Sequence, residues 1–550
     1  MAEEQSAASS AAGDDRALLQ RALAFHRAGR LDQAAAIYGR ILAADADNVE
    51  ALHFLGVIDA QFERFDKAAE RLQRAVELQP DNTHFWSNLA TVRLALGELE
   101  AAETACRRAI ELKPENADAL TNFGNVLAAQ GKPKDALTAY HAAVKIEPKH
   151  RDALNNLGLT LRDLGKSELA LSVFQEVVHL APDFAEAHVN LAHGLLAAGR
   201  FQEGWSEYAW RWKTRRGAGT LRSIRQPLWN GEPLNGRRLL VWCEDDIDEQ
   251  IFFASLLPDL SALDGQVLVE CAPRLAGLFD RSFPTYVLLP RMAGQGRGEA
   301  LGAEDEVPDI DLQIPLSGLA GLFRKHRAAF PHGAAYLQPD EAVAGYLRRN
   351  YKELAERRRV IGIAWQPSPA DAGPVAFPSP RDWRPILDVE GCLFIDLQHG
   401  QAEAEVAALV GKGAHIHGDP AIDPTESLDD FAAQLAALDL VIAAAGTTAH
   451  LAAAIGRPTF CLAPCGPSWR WLGVRGLSES QRAGGQPADS QWYPGLRLFC
   501  PDSPGAWDAA LGRIAVALTG QLAGCRPLRP QGPPKPDATR PGVPGPSTPG

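Results

Sequence analysis

Residues 117–150 read ADALTNFGNVLAAQGKPKDALTAYHAAVKIEPKH, and this stretch decides the fold of the first part of the chain. It reads as a helix, a turn at Gly131, a second helix and a closing proline at Pro148. The same pattern returns every 34 residues. Pro80, Pro114, Pro148 and Pro182 keep that spacing, as do Gly97, Gly131, Gly165 and Gly199. Small residues stand in register at Ala68, Ala102, Ala136 and Ala170, and a large residue follows four later at Tyr38, Leu72, Tyr140 and Phe174. The glycine permits the tight turn, the proline ends the unit, and the alanines let paired helices approach. One such unit cannot bury its apolar face alone, so neighbours stack into a curved solenoid with a concave groove. The units are six: 15–48, 49–82, 83–116, 117–150, 151–184 and a degenerate one near 185–215. In the last, Gly204 replaces the alanine, and residues 204–212 (GWSEYAWRW) read as an aromatic cap joining the solenoid to the C-terminal half of the chain.

The pattern resembles the tetratricopeptide repeat, and it is specific because several positions hold phase together. Asn88, Asn122, Asn156 and Asn190 fall at one position of four successive units, near the groove. In O-linked N-acetylglucosamine transferases a similar asparagine ladder holds the backbone of a protein substrate. That resemblance implies a protein or peptide in the groove, although asparagine is also a common consensus residue here.

The chain has 550 residues, enough for three to four domain-sized units. Its net charge of −13 excludes a globally basic nucleic-acid binder. No apolar run reaches the length of a membrane span. The first residues, MAEEQSAASSAAGDD, lack the basic and apolar regions of a signal peptide. Eight cysteines are scattered without a CxxC pair, which suits reduced thiols and a cytoplasmic protein. Cys461 and Cys465 lie four apart without a second ligand pair, and His415 and His417 share one side of an apparent strand. No metal site is expected. Residues 1–14 and 523–550 read as disordered ends. The second is proline-rich: nine of the 25 residues 526–550 are proline.

Beyond residue 215 the pattern changes to short apolar runs: 238–243 (RLLVWC), 266–271 (QVLVEC), 286–289 (YVLL), 360–365 (VIGIAW), 392–397 (CLFIDL), 438–444 (LDLVIAA) and 459–462 (TFCL). Strands alternating with helical stretches predict parallel α/β sheets. Two Rossmann-like halves, 216–350 and 351–522, are expected on either side of a basic helix-like stretch near 345–358. Ligands then fall at the carboxyl ends of the strands.

The order of segments 205–212, 227–233 (PLWNGEP), 239–260, 440–458 and 469–499 resembles bacterial proteins that fuse tetratricopeptide repeats to a B-type glycosyltransferase domain. Heptosyltransferases are similar by fold. The resemblance implies a nucleotide-sugar donor, no cofactor, and an inverting transfer to a protein or glycan acceptor chosen by the repeats. Where such relatives carry Glu-x-Gly-x-Gly-Asp, this chain reads Glu244-Asp245-Asp246-Ile247-Asp248-Glu249, with Glu249 as the candidate general base. Five carboxylates there would repel a diphosphate unless a metal bridged them. The strand ending at Ala445 leads into Gly446-Thr447-Thr448 and a helix carrying His450, an anion-binding turn that the resemblance assigns to the donor diphosphate. Trp365, at the end of the run 360–365, joins the same expected donor site. Arg381 and Arg384 stand near a missing Arg-Ser pair. The altered acidic loop, the lost Arg-Ser and Ala445 equally suit the alternative of a catalytically degenerate repeat scaffold for protein–protein interaction.

Overall fold

The computed structural model describes residues 16–218, 224–291, 309–330, 335–367, 377–398, 403–411, 413–464, 469–471, 488–503 and 505–524. The expected disordered end at 1–14 lies outside these residues, as does Cys465; of the expected tail 523–550, Ala523 and Gly524 instead close the helix Trp507–Gly524 and 525–550 lie outside the described residues.

The repeats form helix pairs: Val49–Gln61 with Phe65–Leu78, Thr83–Ala95 with Leu99–Leu112, Ala117–Ala129 with Pro133–Ile146, Arg151–Asp163 with Ser167–Leu180, and Ala185–Ala197 with the shorter Phe201–Tyr208. Each pair is set by local chemistry. Asn48, Asn82, Asn116 and His150, again 34 apart, cap the first helices by accepting a backbone N–H. Gly97, Gly131, Gly165 and Gly199 link the two helices with φ of 72–76°. In the 49–82 unit Glu63 stands at that place and still takes φ 61°. Ala68, Ala102, Ala136 and Ala170 are buried, and so are Tyr38, Leu72, Tyr140 and Phe174. Cys106 fills the same slot in the 83–116 unit, where burial pushes its thiol up to about 12. First helices of successive units lie against one another, so they form one continuous wall.

The rest of the chain builds two sheets. The first has four strands in the order β3-β2-β1-β4, namely β1 Arg238–Trp242, β2 Gln266–Cys271, β3 Val287–Pro290 and β4 Leu312–Pro315, all parallel. The second has seven, in the order β10-β11-β9-β8-β5-β6-β7. They are β5 Arg359–Ala364, β6 Cys392–Asp396, β7 Ile416–Gly418, β8 Leu440–Ala444, β9 Thr459–Leu462, β10 Ala488–Asp489 and β11 Leu496–Phe499. Only β10 runs antiparallel to its neighbour. The chain is therefore an α-helical repeat solenoid followed by two parallel α/β sheets, the expected fold class. The helix-like stretch between the sheets is Glu341–Ala355.

In each sheet the order of the parallel strands turns back once. In the first this happens between β1 and β4, in the second between β5 and β8. A crevice opens outside the strand carboxyl ends at such a reversal. Alternate residues of β5 serve different cores. Val360 and Ala364 join the core shared with the first sheet, whereas Ile361 and Ile363 pack on the opposite face under the C-terminal helix Trp507–Gly524. The shared core is continuous from the last repeat (Trp205, Tyr208) through the first sheet (Phe252) to the second (Trp469, Trp492).

Candidate functional site: the junction cleft and the repeat wall

Glu244 lies just beyond β1 and Ser317 just beyond β4, so both stand at the reversal of the first sheet. The Ser317 hydroxyl donates to the Glu244 carboxylate, and the Arg211 guanidinium donates to Ser317 while lying 3.5 Å from Glu244. Burial raises the Glu244 carboxyl above the usual range; Arg211 opposes this and Glu249 reinforces it. Asp246 caps the helix Ile247–Phe253 through the amides of Asp248 and Glu249. That helix carries Asp248 and Glu249 towards the second sheet.

Across the cleft, Gly446 and Thr447 follow β8 and open the helix Thr447–Ala454. The Thr447 hydroxyl donates to Asp248, so the predicted anion turn meets a carboxylate of the acidic loop. Glu249 accepts from Arg470 and, at 3.4 Å, from the Tyr208 hydroxyl. Both partners of the Glu249–Arg470 pair are largely buried. The structure thus brings Glu249, Gly446 and Thr447 to one place.

Two expected donor contacts are not at that place. His450 has no exposed surface: its Nδ1 shares a hydrogen with the Tyr493 hydroxyl at 2.8 Å, and its ring stacks on Trp471 at 4.0 Å. Burial holds it neutral, far below the ordinary imidazole range. It lies one turn into the helix Thr447–Ala454 and packs against Phe252, Trp471 and Tyr493. Trp365 is also corrected to a core residue. It packs on the far face of the second sheet beside Trp383, and its indole N–H donates to Glu405 at 3.3 Å. Thr448 is buried beneath the turn. Arg384 pairs with Asp388 one turn along its helix.

The asparagine ladder is engaged from repeat to repeat. The Asn122 amide donates to Ser87 Oγ at 2.9 Å, Asn156 to Asn125 Oδ1 at 2.8 Å, and Asn190 to Asn155 Oδ1 at 2.9 Å. Asn88 Nδ2 lies 2.7 Å from His53 Nε2. The NH₂ groups therefore tie each unit to the one before. The amide oxygens of Asn88, Asn122 and Asn190 make no hydrogen bond among the described residues.

Sequence reasoning missed Ser317, Arg470 as a partner of Glu249, and Arg211 as a partner of Glu244. Arg470 and Arg211 both sit in Trp-Arg-Trp triplets (469–471 and 210–212), which was the available signal. Among the described residues no group of His, Cys, Asp and Glu is placed to hold a metal, and no helix is long and apolar enough to cross a membrane.

The model of the "Cilia and flagella-associated protein 70 C-terminal domain", a tetratricopeptide-repeat model, matches residues 1–220. Protein FlbA of Caulobacter vibrioides is 32% identical over 332 residues, which is 59% of this chain and 53% of FlbA. The chain therefore spans about half the length of that curated relative. Among solved structures, the tetratricopeptide protein TTC0263 of Thermus thermophilus is 22% identical, with 33% of this chain and 99% of that one covered and a TM-score of 0.31. YrrB, described as a tetratricopeptide protein with an unusual peptide-binding site, is 26% identical over 31% of this chain and 88% of its own, with a TM-score of 0.26. MamA is 28% identical over 30% and 95%, with the same score. The 34-residue helix pairs, their caps and the match over residues 1–220 together make the first part of the chain a set of tetratricopeptide repeats, and an α/β region follows them.

Proposed function

We propose that the chain is a repeat-guided glycosyltransferase: the repeat wall receives a segment of an acceptor protein, and the junction cleft receives a nucleotide-sugar. The observation that carries this reading is the buried charged cluster of Glu244, Asp248, Glu249, Arg211 and Arg470 at the strand carboxyl ends. Burying charge opposes folding, and such clusters concentrate at working sites. In this reading a donor phosphate takes over the Arg470 guanidinium and the Thr447 hydroxyl. Glu249, released from Arg470, then accepts the proton of an acceptor hydroxyl. The free amide oxygens of Asn88, Asn122 and Asn190 support the other half, since they suit the backbone N–H groups of an extended segment. No cofactor enters this scheme.

One observation favours a second reading, a non-catalytic scaffold. Thr447 and Arg470 are already met by Asp248 and Glu249, so the anion turn is satisfied from within. Isothermal titration of the full chain with UDP, GDP, ADP and CMP, with and without Mn²⁺, separates the two. Micromolar binding of one nucleotide supports the transferase. Binding of none removes it and leaves the scaffold.

A further inference from the structure

The acids of the cleft are held partly by residues of the repeat region. Tyr208 ends the helix Phe201–Tyr208, is buried, and donates to Glu249. Arg211 belongs to the short 3₁₀ turn Ala209–Lys213 that closes the solenoid. Its guanidinium lies 4.4 Å from the Tyr208 ring centre and 4.0 Å from that of Trp212, which fixes where the charge points. From there it reaches Ser317 and Glu244. Among the described residues the other side-chain partners of the two carboxylates are Ser317, which follows β4, and Arg470, which follows β9. The wall of first helices runs into this network. Its last member, Ala185–Ala197, carries Asn190 and, three residues on, His193, whose ring lies 6.0 Å from Tyr208 and 6.5 Å from Trp469.

We propose that Tyr208 and Arg211 are positioning residues of the cleft, Tyr208 orienting the Glu249 carboxylate and Arg211 balancing the charge of Glu244. The groove and the cleft are then one site, not an adaptor tethered to a separate domain. The functional half of this rests on the nucleotide-sugar reading above; the electrostatic half does not.

The charged and titratable groups around Glu244 are Arg211 from the solenoid's closing turn, Glu249 from the next helix, and, behind Glu249, Tyr208 and Arg470. Asp245 follows in the chain. Melting temperatures of the full chain from about pH 5 to about pH 8 are compared for wild type, Arg211→Met and Arg211→Lys. Methionine keeps a stem packed on Tyr208 and Trp212 and removes the cation with its hydrogen bond to Ser317. Without it the already raised Glu244 carboxyl resists ionisation further, in the folded chain alone. Stability then falls as pH rises through this range. The expected result is an extra fall of about 3 °C for Arg211→Met and none for Arg211→Lys. Matching pH profiles for the two variants overturn the proposal.

Titration with UDP, GDP and ADP gives the second arm. Where wild type binds one of them, Arg211→Met is expected to bind it about tenfold more weakly, with Arg211→Lys close to wild type, because the cleft loses a positive charge that favours phosphate. Equal affinity of wild type and Arg211→Met overturns the proposal and leaves the nucleotide reading standing. No binding by any protein, with the expected pH profiles, removes the nucleotide reading and upholds the Arg211–Glu244 pairing.

Discussion

The repeat wall and the junction cleft both bury polar side chains, but they satisfy them differently. In the wall the solution is periodic. Asn48, Asn82, Asn116 and His150 each cap a helix, and each ladder asparagine reaches back one unit. A lost partner therefore harms one unit and its neighbour. In the cleft each contact is made once, across long stretches of chain: Arg470 to Glu249, Thr447 to Asp248, Ser317 to Glu244. Nothing nearby repeats the arrangement. The wall is robust by redundancy, whereas the cleft depends on three regions arriving together.

Trp205 is where this contrast is tested hardest. It is buried, donates its indole N–H to the Arg324 carbonyl at 2.9 Å, and stands edge-on to Trp469 at 5.2 Å. Trp205→Ala is expected to cost about 4 kcal/mol and to split one thermal transition into two, as calorimetry would show. A single transition would mean that the two regions are not joined through this residue.

The next test is pH. Burial, with Arg470 and Arg162 nearby, lowers His193 to about 3, whereas its unfolded value is 6.5. The unfolded chain thus binds a proton that the folded chain refuses between those values, so stability should fall as pH drops from 6.5 towards 3. His193→Gln should flatten that slope in urea unfolding. His53, in the wall, is lowered to about 4 by burial and should act over a narrower window. Equal slopes for the two glutamine variants would erase the distinction.

Smaller effects belong to the wall. Asn116→Ala should cost about 1 kcal/mol by urea unfolding, through loss of the cap on Ala117–Ala129. Glu63→Gly should instead stabilise by about 1 kcal/mol, since a non-glycine residue there holds a left-handed φ of 61°. A loss of stability would show that the Glu63 side chain contributes more than its backbone strain costs.

The same contrast governs how much was legible in the sequence. The 34-residue period identified the helix pairs, their turns and their buried alanines, because each requirement is local and restated in every unit. The longer apolar runs identified seven strands. β4 (LQIP) was not read as a strand: Gln313 interrupts its apolar run, and its place depends on pairing with β1 far away in sequence. For the same reason Ser317, which follows β4, carried no signal. His450 and Trp365 were placed at the ligand by their position beside a turn and a strand end. Strand alternation puts Trp365 on the face of Ile361 and Ile363, and His450 is covered by Phe252 and Trp471, which come from distant stretches of chain. Glu249, read as a candidate base, and Thr447, read as part of an anion turn, do lie close together, but their partners, Arg470 and Asp248, come from opposite sides of the cleft.

The spacing of the caps has a consequence for the reach of the wall. Removing residues 117–150 would join Asn116 to Arg151, leaving an asparagine cap where His150 now stands. Every turn and buried alanine on either side would keep its register. The solenoid behaves as a ruler graduated in whole units, with its zero fixed at Trp205 and Tyr208. Its far end can be lengthened or shortened by duplication or excision without disturbing the packing of Trp205 and Tyr208, so the length of the wall is free to drift while its junction with the sheets stays in place.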